Sequence, residues 1–301
     1  MSAHGLHHVT AYSGPAQRNL DFYRRVLGLR LVKKTVNFDD PGTYHLYYGD
    51  EAGNPGTILT FFPIEQAARG RLGTGETQET AFTVPRASIA AWMDRFASHG
   101  VAFETPVQRF GETVVRFTDP DGMSLALVGI DGLGETTSSE AIRGFHGVTL
   151  RLTEACPTAA ILTDVLGFTE RAREGAFVRL GSDAKLGGLV TIEAVGEAER
   201  GRPGAGTVHH IAFRAADDAE QEAMAARLRE RHGLSVTEQR DRNYFRSVYF
   251  REPGGVLFEI ATDIPGFAFD EPADALGEAL KLPSGLEAHR ARIEAVLPRL
   301  D

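Results

Sequence analysis

Residues 7–28 read HHVTAYSGPAQRNLDFYRRVLG, and residues 146–167 read HGVTLRLTEACPTAAILTDVLG. A constant offset of 139 superimposes them without a gap, placing His7 on His146, Val9-Thr10 on Val148-Thr149, and Val26-Leu27-Gly28 on Val165-Leu166-Gly167. A second pair is DPDGMSLALV at 119–128 and EPGGVLFEIA at 252–261. Its offset of 133 also carries His99-Gly100-Val101 onto His232-Gly233-Leu234, and after a two-residue gap Ala81-Phe82 matches Ala212-Phe213. Repetition on this scale sets the architecture before any local reading does. The chain divides into four units near 6–63, 76–129, 144–195 and 206–262, with units 1 and 3 alike and units 2 and 4 alike. Segments 129–143 and 196–206 read as connectors, and 263–301 falls outside the repeat.

Each unit has one coarse pattern. A short alternating strand opens it, such as Leu6–Ala11 or Val208–Phe213. An amphipathic helix follows; in unit 1, Leu20, Tyr23 and Leu27 share a face and Gly28 stands where a glycine ends a helix. Runs rich in aromatic and β-branched residues come next, at 44–48, 57–62, 114–117 and 247–250. They are punctuated by the turns Asp119-Pro120-Asp121-Gly122 and Glu252-Pro253-Gly254-Gly255. The expected class is α+β, built from four βαβββ modules.

The bulk properties remove several alternatives. With 301 residues, 42% hydrophobic and 24% charged, the chain can bury a sizeable core. A net charge of −9 argues against a nucleic-acid partner and against anchoring to an anionic membrane. The single cysteine, Cys156, allows no intrachain disulfide and fits a reducing compartment. It precedes Pro157 and has no histidine nearby in sequence, so it reads as a packing or surface residue. Residues 1–10 carry no signal-peptide pattern and no apolar run reaches membrane-spanning length, so a cytoplasmic location is expected.

The repeated units, the openings His-His-Val and His-His-Ile, and the closing strand Gly-Gly-Val-Leu-Phe-Glu resemble the glyoxalase/extradiol dioxygenase superfamily, the vicinal oxygen chelate proteins. LHHVTA, VKKTVNFDDPGTYHLYYGD, PGTILTFFP and DRNYFRSVYFREPGGVLFEIATD are similar to a narrower group, the ring-cleaving dioxygenases of hydroquinones. The resemblance runs from Leu6 past Asp270. It implies two glyoxalase-like barrel halves, an Fe(II) cofactor with Mn(II) as the alternative ion, and a small aromatic substrate with O₂.

Alternation lets only one histidine of each pair enter a given cavity. His8 is replaced by Gly147 in unit 3, His210 by Glu79 in unit 2, and Glu259 by Ala126 in unit 2. The set His8, His210 and Glu259 is therefore complete once, from units 1 and 4, which are expected to close one half around a metal while units 2 and 3 form a half without one. Two imidazoles and a carboxylate leave three positions open on an octahedral ion, which suits non-haem iron and oxygen chemistry. A closed zinc site would want a fourth ligand, usually with thiolates.

Thr10 lies two residues from His8 and so on its face. Tyr249 alternates with Val248 and Phe250, and Arg242 lies in the loop before that strand, suited to an anionic ring. The resemblance assigns Thr10, Tyr249, Arg242, His7 and His209 to supporting positions around the metal, although alternation points His7 and His209 the other way. His45 and Tyr47 read as structural, as do His99 and His232 at helix ends. In the tail, Pro265–Phe269 is a candidate lid, and Ser284 with Glu287 reads as a capped helix. The leading expectation is a ring-cleaving, extradiol-type dioxygenase acting on a hydroquinone. Against it stand a catechol dioxygenase, a glyoxalase-like isomerase or lyase (disfavoured because the second glutamate position is Ala126), and a metal-free aromatic-binding protein. A homodimer is the base-rate expectation for assembly.

Overall fold

The computed structural model describes residues 4–133 and 140–301, so the middle of the 129–143 connector and the first three residues lie outside it. The strands of the first two units are β1 (Leu6–Ser13), β2 (Arg30–Asn37), β3 (Asp40–Gly49), β4 (Ile58–Pro63), β5 (Glu76–Pro85), β6 (Val107–Arg109), β7 (Glu112–Thr118) and β8 (Ser124–Ile130). Those of the last two are β9 (Gly144–Leu152), β10 (Thr169–Glu174), β11 (Phe177–Gly181), β12 (Leu189–Ala194), β13 (Val208–Ala215), β14 (Arg240–Asp241), β15 (Arg246–Arg251) and β16 (Leu257–Thr262). They form two eight-stranded sheets, in the orders β14-β15-β16-β13-β1-β4-β3-β2 and β10-β11-β12-β9-β5-β8-β7-β6. The architecture is α+β, two half-barrels of the vicinal-oxygen-chelate type. The strands of residues 6–63 share a sheet with those of 208–262, joined by the antiparallel pair β1–β13, and β5–β9 joins the other two sets.

Helices α1 (Ala16–Asp21), α2 (Ile89–Ser98), α3 (Cys156–Asp164) and α4 (Asp218–His232) each follow the opening strand of a unit. The first runs on as a π-helical turn, Phe22–Val26, closed by Leu27 N–H donating to Phe22 O at 3.1 Å. That widened turn keeps Leu20, Tyr23, Val26 and Leu27 all buried before Gly28 (φ 71°) ends the segment. α4 is capped at both ends: Asp217 accepts from Glu220 N–H, and Gly233 takes the left-handed conformation.

The central strands are buried on both faces, with different partners on each. In β13, Ile211 and Phe213 face the main core beneath the helices, while Ala212 belongs to a second cluster with Tyr47, Tyr244, Phe245 and Phe267 on the concave side. The halves are tied by buried polar contacts: Tyr23 Oη donates to Asp119 at 3.0 Å, and Thr158 donates to Glu252. Burial pushes the Asp119 carboxyl up to about 6, while backbone N–H groups and the Tyr23 hydroxyl work the other way.

The tail buttresses the cavity wall and does not line its mouth. Phe267 stacks on Tyr244 and meets Tyr47 edge-on, and Lys33 is anchored to Asp270 and Glu271. The capped helix expected at Ser284 is instead a 3-10 turn, Ser284–His289, followed by α5 (Arg290–Val296), with no side-chain cap. Glu287 cannot fold back as a capping partner because Arg290 holds both its oxygens, at 2.7 and 2.9 Å. Among the described residues, no helix is long and apolar enough to cross a membrane.

Candidate metal centre

Cross-strand register assembles the site. One row across the first sheet carries His8, Ala212, Glu259 and Tyr249, and the next carries Tyr47, Thr60, Thr10 and His210. Residues paired across a ladder share a face, so both rows look into one cavity. His8, His210 and Glu259 are all buried, and their ligand atoms lie within 4.8 Å of one another. His8 Nε2 is 3.3 Å from His210 Nε2 and 3.5 Å from Glu259 Oε2, and His210 Nε2 is 2.9 Å from Glu259 Oε2. Donors bound about 2.1 Å from an ion at right angles stand about 3 Å apart, so the triangle has the size of one face of a coordination shell.

The electrostatics point the same way. Among the described residues Glu259 Oε2 is buried without a hydrogen-bond donor: the His210 nitrogen is close, but no N–H is aimed along the contact. Burial opposes ionisation of Glu259, yet the flanking His8 and His210 rings outweigh it and hold the carboxyl well below its usual range. Burial holds His7, His45 and His210 below the ordinary histidine value, and brings His209 down to about 3. The result is a buried carboxylate beside the His210 ring, whose proton affinity burial lowers, with the His8 nitrogen completing a donor set of the kind that binds a divalent cation. Glu259 Oε1 is fixed from behind by the Ser247 hydroxyl, a contact the sequence reading missed.

Strict alternation fails at both histidine pairs, and for one reason. β1 advances two residues from Leu6 to His8 while β13 advances one, so His7 is an extra, bulged residue; His209 is the extra residue on β13 between Val208 and His210. A bulge turns its side chain toward that of its neighbour. His7 Nδ1 thus lies 2.9 Å from His8 Nδ1, and His209 Nδ1 lies 2.7 Å from His210 Nδ1. These contacts leave both Nε2 atoms for the cavity. The other half repeats the bulges at Gln78 and His146, the aligned positions.

That other half is filled differently. Glu79, aligned with His210, is clamped by Arg109 and by Arg116 Nε at 2.9 Å, and His146 pairs with Glu112 at 3.0 Å. Gly147 occupies the position of His8, and a Cβ there would meet the Leu189 carbonyl oxygen at 2.3 Å. Gly147→Ala is therefore expected to destabilise by about 1–3 kcal/mol, read as a lowered urea midpoint, because a backbone atom must move.

Around these three side chains is a cavity of about 390 Å³. Tyr249 lines it, 5.8 Å from the His210 ring centre, and Arg242 Nε donates to Tyr249 Oη at 3.3 Å. Arg242 also reaches Asp39 at 3.2 Å. Burial raises the Tyr249 phenol, which stays protonated. Thr10 is fully buried behind the lining and accepts from Thr60 at 2.8 Å. His45 and Tyr47, read from sequence as structural, line the cavity. Their spacing, two apart in a strand, was the available signal, but only the pairing of β3 with β4 shows which face they occupy.

The profile of the glyoxalase/bleomycin resistance protein/dioxygenase superfamily matches residues 5–127 and 145–260. MhqO of Bacillus subtilis, provisionally named a ring-cleaving dioxygenase, is 48% identical over 297 residues, covering 96% of this chain and 94% of its own. The chlorohydroquinone/hydroquinone 1,2-dioxygenase of Sphingobium indicum is 33% identical over 299 residues, covering 94% and 92%. A crystal structure from B. subtilis, provisionally described as a dioxygenase, superposes with a TM-score of 0.94 at 46% identity, over 100% of this chain and 98% of that one. Glyoxalase I from Zea mays shares the fold, with a TM-score of 0.68 at 15% identity over 87% and 93%.

Proposed function

The chain belongs to the glyoxalase/bleomycin resistance protein/dioxygenase superfamily, and from that premise we propose that it is an Fe(II)-dependent ring-cleaving dioxygenase of hydroquinone-type aromatics. The observation that carries the reading is the His8–His210–Glu259 triangle, with its unsatisfied carboxylate oxygen, opening into an aromatic-lined cavity. The relative from S. indicum supports the substrate class by its name. Held by these three side chains, iron would supply the one-electron chemistry by which O₂ reacts with a closed-shell ring.

The protein's own groups do the rest. Phe62, Phe245 and Leu257 give the cavity apolar walls that hold a ring and exclude water. The protonated Tyr249 phenol donates to an ionised ring oxygen, and the Arg242 guanidinium, donating into the same phenol oxygen, makes it a stronger donor. His8, His210 and Glu259 would hold the ion, and the cavity open beside them would admit the ring and O₂. His7 and His209 fix the ligand rings through Nδ1. His209→Ala is expected to weaken metal binding about 10–100-fold, the usual worth of such a partner, measured by competition with a chelator.

The direct test is O₂ uptake by the Fe(II)-loaded protein with hydroquinone and catechol side by side. Uptake with hydroquinone, and a product carrying both oxygen atoms of ¹⁸O₂, is expected. Turnover that proceeds equally well without O₂ would instead indicate an isomerase or lyase.

A further inference from the structure

His45 has no part in the metal centre, yet both its ring nitrogens are tied down inside the cavity wall. Thr60 Oγ1 donates to Thr10 Oγ1 at 2.8 Å, so it accepts from His45 Nε2–H at 2.7 Å. His45 Nδ1 then carries a lone pair and accepts from Tyr47 Oη–H at 2.9 Å. The Tyr47 oxygen donates this bond and keeps its own lone pairs for a further donor. Both side chains border the cavity, and Phe62 packs against the His45 ring at 4.3 Å. In strand order the ligand-bearing β16, β13 and β1 lie between Tyr249 on β15 and the His45–Tyr47 pair on β3. The cavity therefore has a hydroxyl group on each flank of the metal ligands.

A ring with two adjacent hydroxyls presents both at one edge and has nothing for the far flank. A ring with para hydroxyls has its second oxygen on the opposite edge. Resting on the hydroquinone reading above, we propose that Tyr47, backed by His45, receives the second hydroxyl of the substrate and selects para-diols. The substrate O–H donates to Tyr47 Oη, whose own proton is aimed at His45 Nδ1. As the ring gives electrons to O₂, the distal hydroxyl becomes acidic. Its O–H bond breaks as a new Tyr47 O–H forms, and the old Tyr47 proton moves to His45 Nδ1. The reverse shift returns a proton to the product, whose two new oxygens come from O₂, so no other reactant is consumed. Burial keeps the His45 imidazole neutral beforehand, with its lone pair available.

The test is anaerobic calorimetric titration of the Fe(II)-loaded full chain with hydroquinone and with phenol, which lacks the second hydroxyl. Wild type is expected to bind hydroquinone at least about fivefold more tightly, the worth of one neutral hydrogen bond. Tyr47→Phe should bring that ratio to about one and leave the phenol affinity unchanged. His45→Gln keeps a polar side chain behind Tyr47. It should preserve the binding preference but lower kcat on hydroquinone by about 10²-fold, since a proton acceptor is lost. If Tyr47→Phe weakens both ligands equally, or neither, or if wild type shows no preference, the inference is wrong. Oxygen uptake by wild type is a separate arm: its absence would remove the ring-cleaving reading, while the binding ratio still decides the role of Tyr47.

Discussion

Glu259→Ala is expected to abolish turnover and to strip the ion while leaving the protein folded. Glu259 is fully buried, and among the described residues its Oε2 has no hydrogen-bond donor, which is why a cation between His8 and His210 is proposed as its partner. Loss of this ligand removes the only anionic donor of the three and leaves two neutral imidazoles, which is a far larger change than losing a supporting hydrogen bond, itself worth about 10–100-fold. Activity should fall to background, with His8→Ala and His210→Ala behaving alike. The thermal readout should separate this from misfolding. An ion held at a hundredfold excess over its Kd stabilises the native state by about 2.7 kcal/mol. Added Fe(II) or Mn(II) should therefore raise the melting temperature of wild type and not that of Glu259→Ala. Near-normal activity in a folded Glu259→Ala protein would show that the ligand set is misassigned.

Tyr249→Phe is the second large effect. The phenol is half-buried and protonated, shares a row with Glu259, and receives the Arg242 Nε–H. It is built to donate a hydrogen bond to charge that develops on a ring oxygen. Removing such a donor costs about 10²–10³-fold in kcat. The aromatic wall survives the substitution, so KM should change much less. Arg242→Lys should show a milder version, because a lysine cannot reach both Tyr249 and Asp39 from one planar group. Steady-state O₂ uptake on hydroquinone gives both constants, and a Tyr249→Phe defect confined to KM would assign the residue to binding alone.

How much of this was legible beforehand depends on what the sequence repeats. The offsets of 139 and 133 are gapless over long stretches, so the module pattern, and the fact that His8, His210 and Glu259 occur together only once, could be read directly. The position of the supporting residues could not. His7 and His209 are brought to their neighbours by bulges, and nothing in HHV or HHI marks an extra residue in a ladder; it shows only when β1 is laid against β13, some 200 residues away in sequence. His45 and Tyr47 read as structural in the sequence, because their face is set only by β3 pairing with β4 and β4 with β1. In Pro265–Phe269, the candidate lid, Phe267 packs with Tyr47 and Tyr244, a placement that no local pattern marks. Local patterns gave the elements, and long-range register gave the chemistry.

The most direct measurement is an anomalous difference map from crystals of the Fe(II)-loaded protein, recorded at the iron edge. A single peak about 2.0–2.3 Å from His8 Nε2, His210 Nε2 and Glu259 Oε2, with none beside Glu79 and Arg109, is the predicted result. A fully loaded crystal with no peak in that triangle, or with the ion bound elsewhere, would contradict the account.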